Sequence, residues 1–257
     1  MQGRIGLLIG LLWAQYYTPR LMSLAYTQAP LLHEPIGLNP AASLPSGHFS
    51  TSISGTFYLP SPEIGFYTGG ISYSWDTVQG IHVLLQRWSF DKITQSEAGA
   101  GYALRLLQNK LTLAVRGRLL STNFSEYGRL YRFTPDAGFV FKLSPRLLIG
   151  GYGYNLLAQG WGFLPGYTFY GVGIAYQPSP EAQVMTELTY TAGGPSQMRT
   201  AFIYAPHPSI QLRGGVSLPI LLVGAGLSIR YQRVAMDIGY SYQPTTGSWA
   251  GVGISMP

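Results

Sequence analysis

Residues 48–59 read HFSTSISGTFYL. Phe49, Thr51, Ile53, Gly55, Phe57 and Leu59 hold one set of alternate positions, and His48, Ser50, Ser52, Ser54, Thr56 and Tyr58 hold the other. Successive side chains of a strand point to opposite faces, so this segment has one largely apolar face and one polar face. A soluble β-sandwich turns the apolar face inward, whereas a membrane-spanning barrel turns it outward to lipid. The rest of the chain has to decide between them.

Of the 257 residues, 46% are hydrophobic and only 10% charged, against about 25% charged in an average soluble domain. No run of about 18 apolar residues is present, so a spanning helix is not expected. A greasy, weakly charged chain rich in Gly, Tyr and Phe (33, 19 and 11 residues) fits a transmembrane β-barrel, where tyrosine suits the membrane–water boundary. The +6 net charge is scattered along the chain, without the clustered patch that nucleic acid requires. The absence of cysteine excludes thiolate metal sites, a cysteine nucleophile and disulfides. His33, His48, His82 and His207 have no metal-ligand spacing. The segments GVGIAY and GAGLSI alternate as strands do and do not open a helix as phosphate loops do. No catalytic residue, metal or cofactor is expected, and the chain reads as a non-enzyme. A lumenal hydrolase built on His48, Ser50 and Asp237 is the weakest alternative.

The first residues, MQGRIGLLIGLLWAQ, carry a basic Arg4 and a short apolar core, which predicts a signal peptide over 1–14. Residues 15–46 form an N-terminal segment, either a hatch inside the barrel or a periplasmic extension, with a short helix within RLMSLAYTQA. Residues 47–257 divide into fourteen predicted strands, from 47–59 to 247–256, each about the length a tilted spanning strand needs. With a periplasmic N-terminus, even-to-odd connections become short turns such as QNK, LSPR and QR. The longest odd-to-even connections, STNFSEYGRLY and NLLAQGWGFLPG, become outer loops. The predicted architecture is an all-β, antiparallel transmembrane barrel of about fourteen strands, in the outer membrane of a Gram-negative cell.

Alternation also assigns the charges. His48, Glu97, Arg105, Arg116, Arg118, Asp136, Glu187, Arg199, Arg213, Arg230 and Asp237 take the lumen-facing phase, and their mixed signs predict a bridged, narrow lumen. An Arg or Lys on the lipid face would cost roughly 2–4 kcal/mol at the midplane. The segment IHVLLQRWSFD breaks the rule, because Arg87 shares the phase of Ile81, Val83 and Leu85. A β-bulge at Gln86-Arg87 would restore the pattern and mark a kink in the wall.

Arg20, LMSLAYTQA and EPIGLNPAAS, followed by an alternating first strand, resemble the start of FadL-like outer-membrane barrels. These include long-chain fatty acid transporters and the PorV/PorQ-type barrels of type IX secretion. The Asn39-Pro40-Ala41 element, EAGAGYALRLLQNKLTLAVRGRLL and the strand pair ending at Asn155-Leu156 continue the resemblance over most of the chain. PorP/SprF-type barrels share an early NPA element. The small-residue helix of the family usually carries glycines, whereas Met22, Ser23 and Leu24 stand here. The short outer loops and the signal ending in WAQ, similar to Bacteroidetes-type exports, resemble the secretion-associated branch. That branch implies a membrane scaffold that binds secretion-system proteins; the outer loops 121–131 and 155–166 are its expected contact surfaces, with the apolar Leu156, Leu157, Trp161, Phe163 and Leu164 as the docking patch. The alternative implied by the FadL branch is a passive transporter of small hydrophobic molecules. Membrane lipid is a partner in both readings.

Overall fold

The computed structural model describes residues 18–24, 27–28, 37, 39–43, 49–90, 92–125, 128–157, 168–192 and 194–256. The expected signal peptide and the expected roles of His48, Trp161, Phe163 and Leu164 fall outside these residues. Fourteen strands follow in chain order: β1 (Phe49–Tyr58), β2 (Gly65–Ser74), β3 (Gln79–Phe90), β4 (Ile93–Leu106), β5 (Leu111–Phe124), β6 (Gly128–Ser144), β7 (Leu147–Tyr154), β8 (Phe169–Ser179), β9 (Ala182–Thr191), β10 (Gln197–His207), β11 (Ile210–Leu218), β12 (Leu222–Tyr231), β13 (Val234–Gln243) and β14 (Gly247–Met256). Each strand is antiparallel to its neighbour in sequence. β14 closes the barrel on β1 in an uninterrupted register from Thr51↔Met256 to Tyr58↔Trp249. Closure leaves no sheet edge, as a structure in hydrocarbon requires.

The apolar face of the opening stretch points outward. Ile53 is 67% exposed and Phe49 49%, whereas Ser50 is 7% exposed on the inner face. The same division runs round the barrel: Leu85, Val115, Leu188 and Val252 are exposed, while Ser72, Arg116, Glu187 and Ser241 are buried. This is the reverse of a soluble sandwich and the arrangement of a transmembrane barrel. Tyr73, Trp75 and Tyr102 gather on the outer face at the even-to-odd end, with Trp75 and Tyr102 ring centroids 6.2 Å apart. Such rings belong at a membrane boundary.

Two sequence expectations are corrected here. No bulge interrupts β3, whose register runs unbroken against β2 and β4 through Gln86↔Glu97 and Arg87↔Ser96. Gln86 and Trp88 therefore face inward, and Arg87 faces outward and is exposed. An outward charge is tolerable near the end of a strand because its cost falls to about 0–1 kcal/mol toward the interface. In addition, the expected outer loop over 121–131 is mostly strand, with β5 running to Phe124 and β6 starting at Gly128. Its outer-face residues Ser121, Asn123 and Arg129 are polar, so alternation between apolar and polar fades there although pairing continues. Among the described strands the longest separation in sequence is between β7 and β8, over 155–168.

Candidate functional site in the barrel lumen

The described residues of the N-terminal segment lie against the inner wall of the barrel. Helix α1 (Pro19–Ser23) begins on Thr18, whose Oγ1 accepts the Leu21 N–H at 3.1 Å, with a proline in its first turn; both are helix-start signals. Leu21, Met22 and Leu24 are fully buried. The helix lies on β12 at Gly224 and Gly226. A Cβ at Gly224 would strike the Met22 carbonyl, and one at Gly226 would come within 2.9 Å of Ser23 Oγ. Further on, Pro40–Ser43 forms a buried 3-10 turn. Asn39 anchors it: its Nδ2 donates to the Phe139 carbonyl at 3.1 Å, and its Oδ1 accepts the Ala41 N–H at 3.0 Å. A Cβ at Gly138 on β6 would lie 2.9 Å from Pro40 Cδ, so the missing side chain makes the seat for the Asn39-Pro40-Ala41 turn.

Charged residues of β4, β5 and β6 meet beside this segment. Asp136 Oδ2 accepts Arg116 Nε at 3.0 Å and Arg118 Nε at 2.6 Å, and its Oδ1 accepts Arg118 Nη2 at 2.9 Å. Arg118 Nη1 lies 3.1 Å from Glu97 Oε1 and donates to Tyr154 Oη at 2.5 Å, with its guanidinium 3.7 Å from the Tyr154 ring centroid. Two cations and two anions thus neutralise one another away from water, and the bidentate geometry meets the demand of burial. Arg116 Nη1 also donates to the Gly37 carbonyl at 2.9 Å, which ties the cluster to the N-terminal segment.

A second group holds the same segment elsewhere. Fully buried Glu187 on β9 accepts the Gln28 N–H at 2.7 Å and the Tyr152 hydroxyl at 2.9 Å. Arg199 Nη1 lies 3.6 Å from the same carboxylate. Arg213 and Asp237 pair at 2.6 Å across β11 and β13. Arg105, half-buried at the even-to-odd end, donates to the Thr77 carbonyl at 3.1 Å. Arg230 takes the inner phase but is exposed at the same end, so it does not line the interior. The reason is its position next to the β12–β13 turn, a placement that phase alone does not give.

Beside the charged groups, apolar side chains gather around the N-terminal helix, while buried Ser72, His82, Gln86 and Ser241 keep other parts of the inner face polar. Leu21 and Leu24 pack with Leu84, Tyr152, Tyr154, Phe169, Met185 and Ile203. Met22 packs with Ile64, Phe66, Trp88 and Trp249. Tyr152 and Tyr154 were not anticipated from the sequence, although both share the inner phase of β7. Gly138, Gly224 and Gly226 share the inner phase of their strands, which is the sequence signal that a segment lies against them.

Among the described residues the β6–β7 ladder ends at Ala137↔Gly153, with one further main-chain bond from the Leu156 N–H to the Pro135 carbonyl at 3.0 Å. Asn155 takes a left-handed backbone (φ 59°), and its N–H donates to the Asp136 carboxylate at 2.9 Å instead of to a strand carbonyl. Thr134 Oγ1 donates to Asn155 Oδ1 at 2.7 Å, and Thr168 Oγ1 to the Asn155 carbonyl at 2.9 Å. Among the described residues Gly128–Thr134 of β6 pair with β5 alone. Just outside, Gly151, Gly153, Leu156, Tyr170 and Tyr190 line an apolar hollow of about 540 Å³.

No protein-family model matches the chain, and no curated protein matches it in sequence. Solved structures do match in shape. The Pseudomonas putida toluene transporter TodX aligns with a TM-score of 0.69 at 12% identity, over 94% of this chain and 98% of that one. A TodX mutant described as a monoaromatic hydrocarbon channel aligns at 0.74 and 11% identity, over 93% and 98%. A Pseudomonas aeruginosa FadL homologue aligns at 0.67 and 10% identity, over 93% and 97%. At such identities the likeness is one of fold, and it places nearly the whole chain on the fold of FadL-like outer-membrane barrels.

Proposed function

We propose that this protein is a passive outer-membrane channel for small hydrophobic molecules, with residues 15–46 acting as a hatch in its lumen. The observation that carries the reading is the division of the interior. Tyr152, Tyr154, Phe169, Met185 and Ile203 of β7–β10 pack as an apolar cluster against Leu21 and Leu24, with Glu187 paired to Arg199 beside it, while Glu97, Arg116, Arg118 and Asp136 of β4–β6 pair with one another. An ion pore needs a watery lining, commonly with rings of one sign; an apolar molecule needs a dry one. The likeness in fold to TodX and to a FadL homologue supports transport and lends nothing to a scaffold for type IX secretion. A sideways route to the membrane would leave past the end of β7, where among the described residues the ladder with β6 ends and the outer hollow lies against the wall.

The reading is tested by uptake of radiolabelled toluene into Gram-negative cells that lack their own hydrocarbon channels. Cells carrying the folded barrel in the outer membrane take up label several times faster than cells with an empty vector. Equal rates with equal amounts of folded barrel contradict the proposal.

A further inference from the structure

Arg87 is set apart by its face. Along the fourteen strands the outward phase holds only two charges among the described residues, Arg87 and Arg129. Arg129 is the second residue of β6, beside a chain turn, whereas Arg87 sits three residues before the end of β3, still paired on both sides. Its neighbours across the register are Tyr67 on β2 and Ser96 on β4, and Ser121 follows on β5. Below this polar row lies an apolar slot of about 980 Å³ in the outer wall. Gly55, Gly69 and Ala98 contribute to its lining, with Tyr67 and Leu119 at its sides and Arg87 among the residues that border it. A side chain added at Gly69 would meet nothing closer than the Ser52 carbonyl at 3.8 Å, so the slot is open at that point.

We infer that this slot is a binding site for one anionic membrane lipid, with an acyl chain laid over Gly55, Gly69 and Ala98 and the phosphate on Arg87. Three features point to that occupant. The slot faces the acyl phase of the bilayer, so its contents are chains. The guanidinium stands at the change from apolar to polar outer surface, which is the depth of lipid headgroups. A forked guanidinium matches a phosphate, and pairing removes the cost of an outward charge. The site is independent of what passes through the lumen.

The test is equilibrium gel filtration of delipidated barrel with radiolabelled phosphatidylglycerol, using diacylglycerol of the same chains as the control. Folding of each variant is checked by its shift on unheated gels. The wild type retains about one phosphatidylglycerol per barrel and binds diacylglycerol more weakly. R87Q weakens phosphatidylglycerol about fivefold, the effect of one basic residue at a lipid surface, and leaves diacylglycerol unchanged. G69L, which fills the slot and keeps Arg87, weakens both. Equal binding of the two lipids, or unchanged binding in folded R87Q and G69L, overturns the inference. Competition by millimolar inorganic phosphate that matches phosphatidylglycerol overturns it in favour of a free-anion site.

Discussion

Replacing Asp136 by Ala lowers the folding free energy by about 3–5 kcal/mol, because truncating one partner of a buried ion network strands the other charges. Asp136 is shared by two guanidiniums, each with a side chain 0% exposed. Without it, Arg116 and Arg118 face each other with Glu97 as the nearby carboxylate. The same carboxylate accepts the Asn155 N–H where β7 ends, so the loss also loosens the chain at that point. The measurement is urea unfolding in lipid vesicles. Asp136→Asn, which keeps shape and one acceptor oxygen, loses less. A change below about 1 kcal/mol for the alanine variant, the worth of a surface ion pair, would show that the cluster is solvated and that the interior is not dry.

The second large effect concerns the hatch. Glu187→Ala removes the acceptor of the Gln28 N–H and of the Tyr152 hydroxyl. Hydrogen bonds to a charged group contribute about 1.5–3 kcal/mol each, so losing the Gln28 tether raises the population with a displaced segment by roughly 10- to 150-fold. Planar-bilayer recordings read this as a rise in open-state occupancy. Glu187→Gln retains an acceptor oxygen and opens less. Unchanged occupancy in a folded Glu187→Ala barrel means that the segment is held without this contact or does not close the lumen.

The barrel was legible because its rule is short-range. In HFSTSISGTFYL each residue's side follows from its parity, and the same parity carried all fourteen strands to within a few residues. Strand ends were less clear where the outer surface turns polar, as at Ser121, Asn123 and Arg129, because the lipid that imposes an apolar face is absent there. Arg87 misled for a related reason: the cost of an outward charge depends on depth, and sequence supplies phase without depth.

The candidate site was legible only in part. Phase put Glu97, Arg118 and Asp136 inside, but their meeting depends on the registers Gly99↔Arg118 and Arg116↔Asp136, which no single strand encodes. The resemblance drew attention to Asn39-Pro40-Ala41, whereas its seat, Gly138, became visible only with the turn lying on it. Expectations for Trp161, Phe163 and Leu164 as a partner surface fall outside the described residues and belong to the scaffold reading, which the transport reading replaces.

The most direct measurement of the central claim is native mass spectrometry of the protein extracted gently from its own outer membrane. The account predicts a barrel without fixed protein partners that carries a small apolar molecule, released when Met185 in the apolar lumen surface is changed to Glu. Partner proteins at constant stoichiometry and no bound apolar molecule would contradict it and return the scaffold reading to first place.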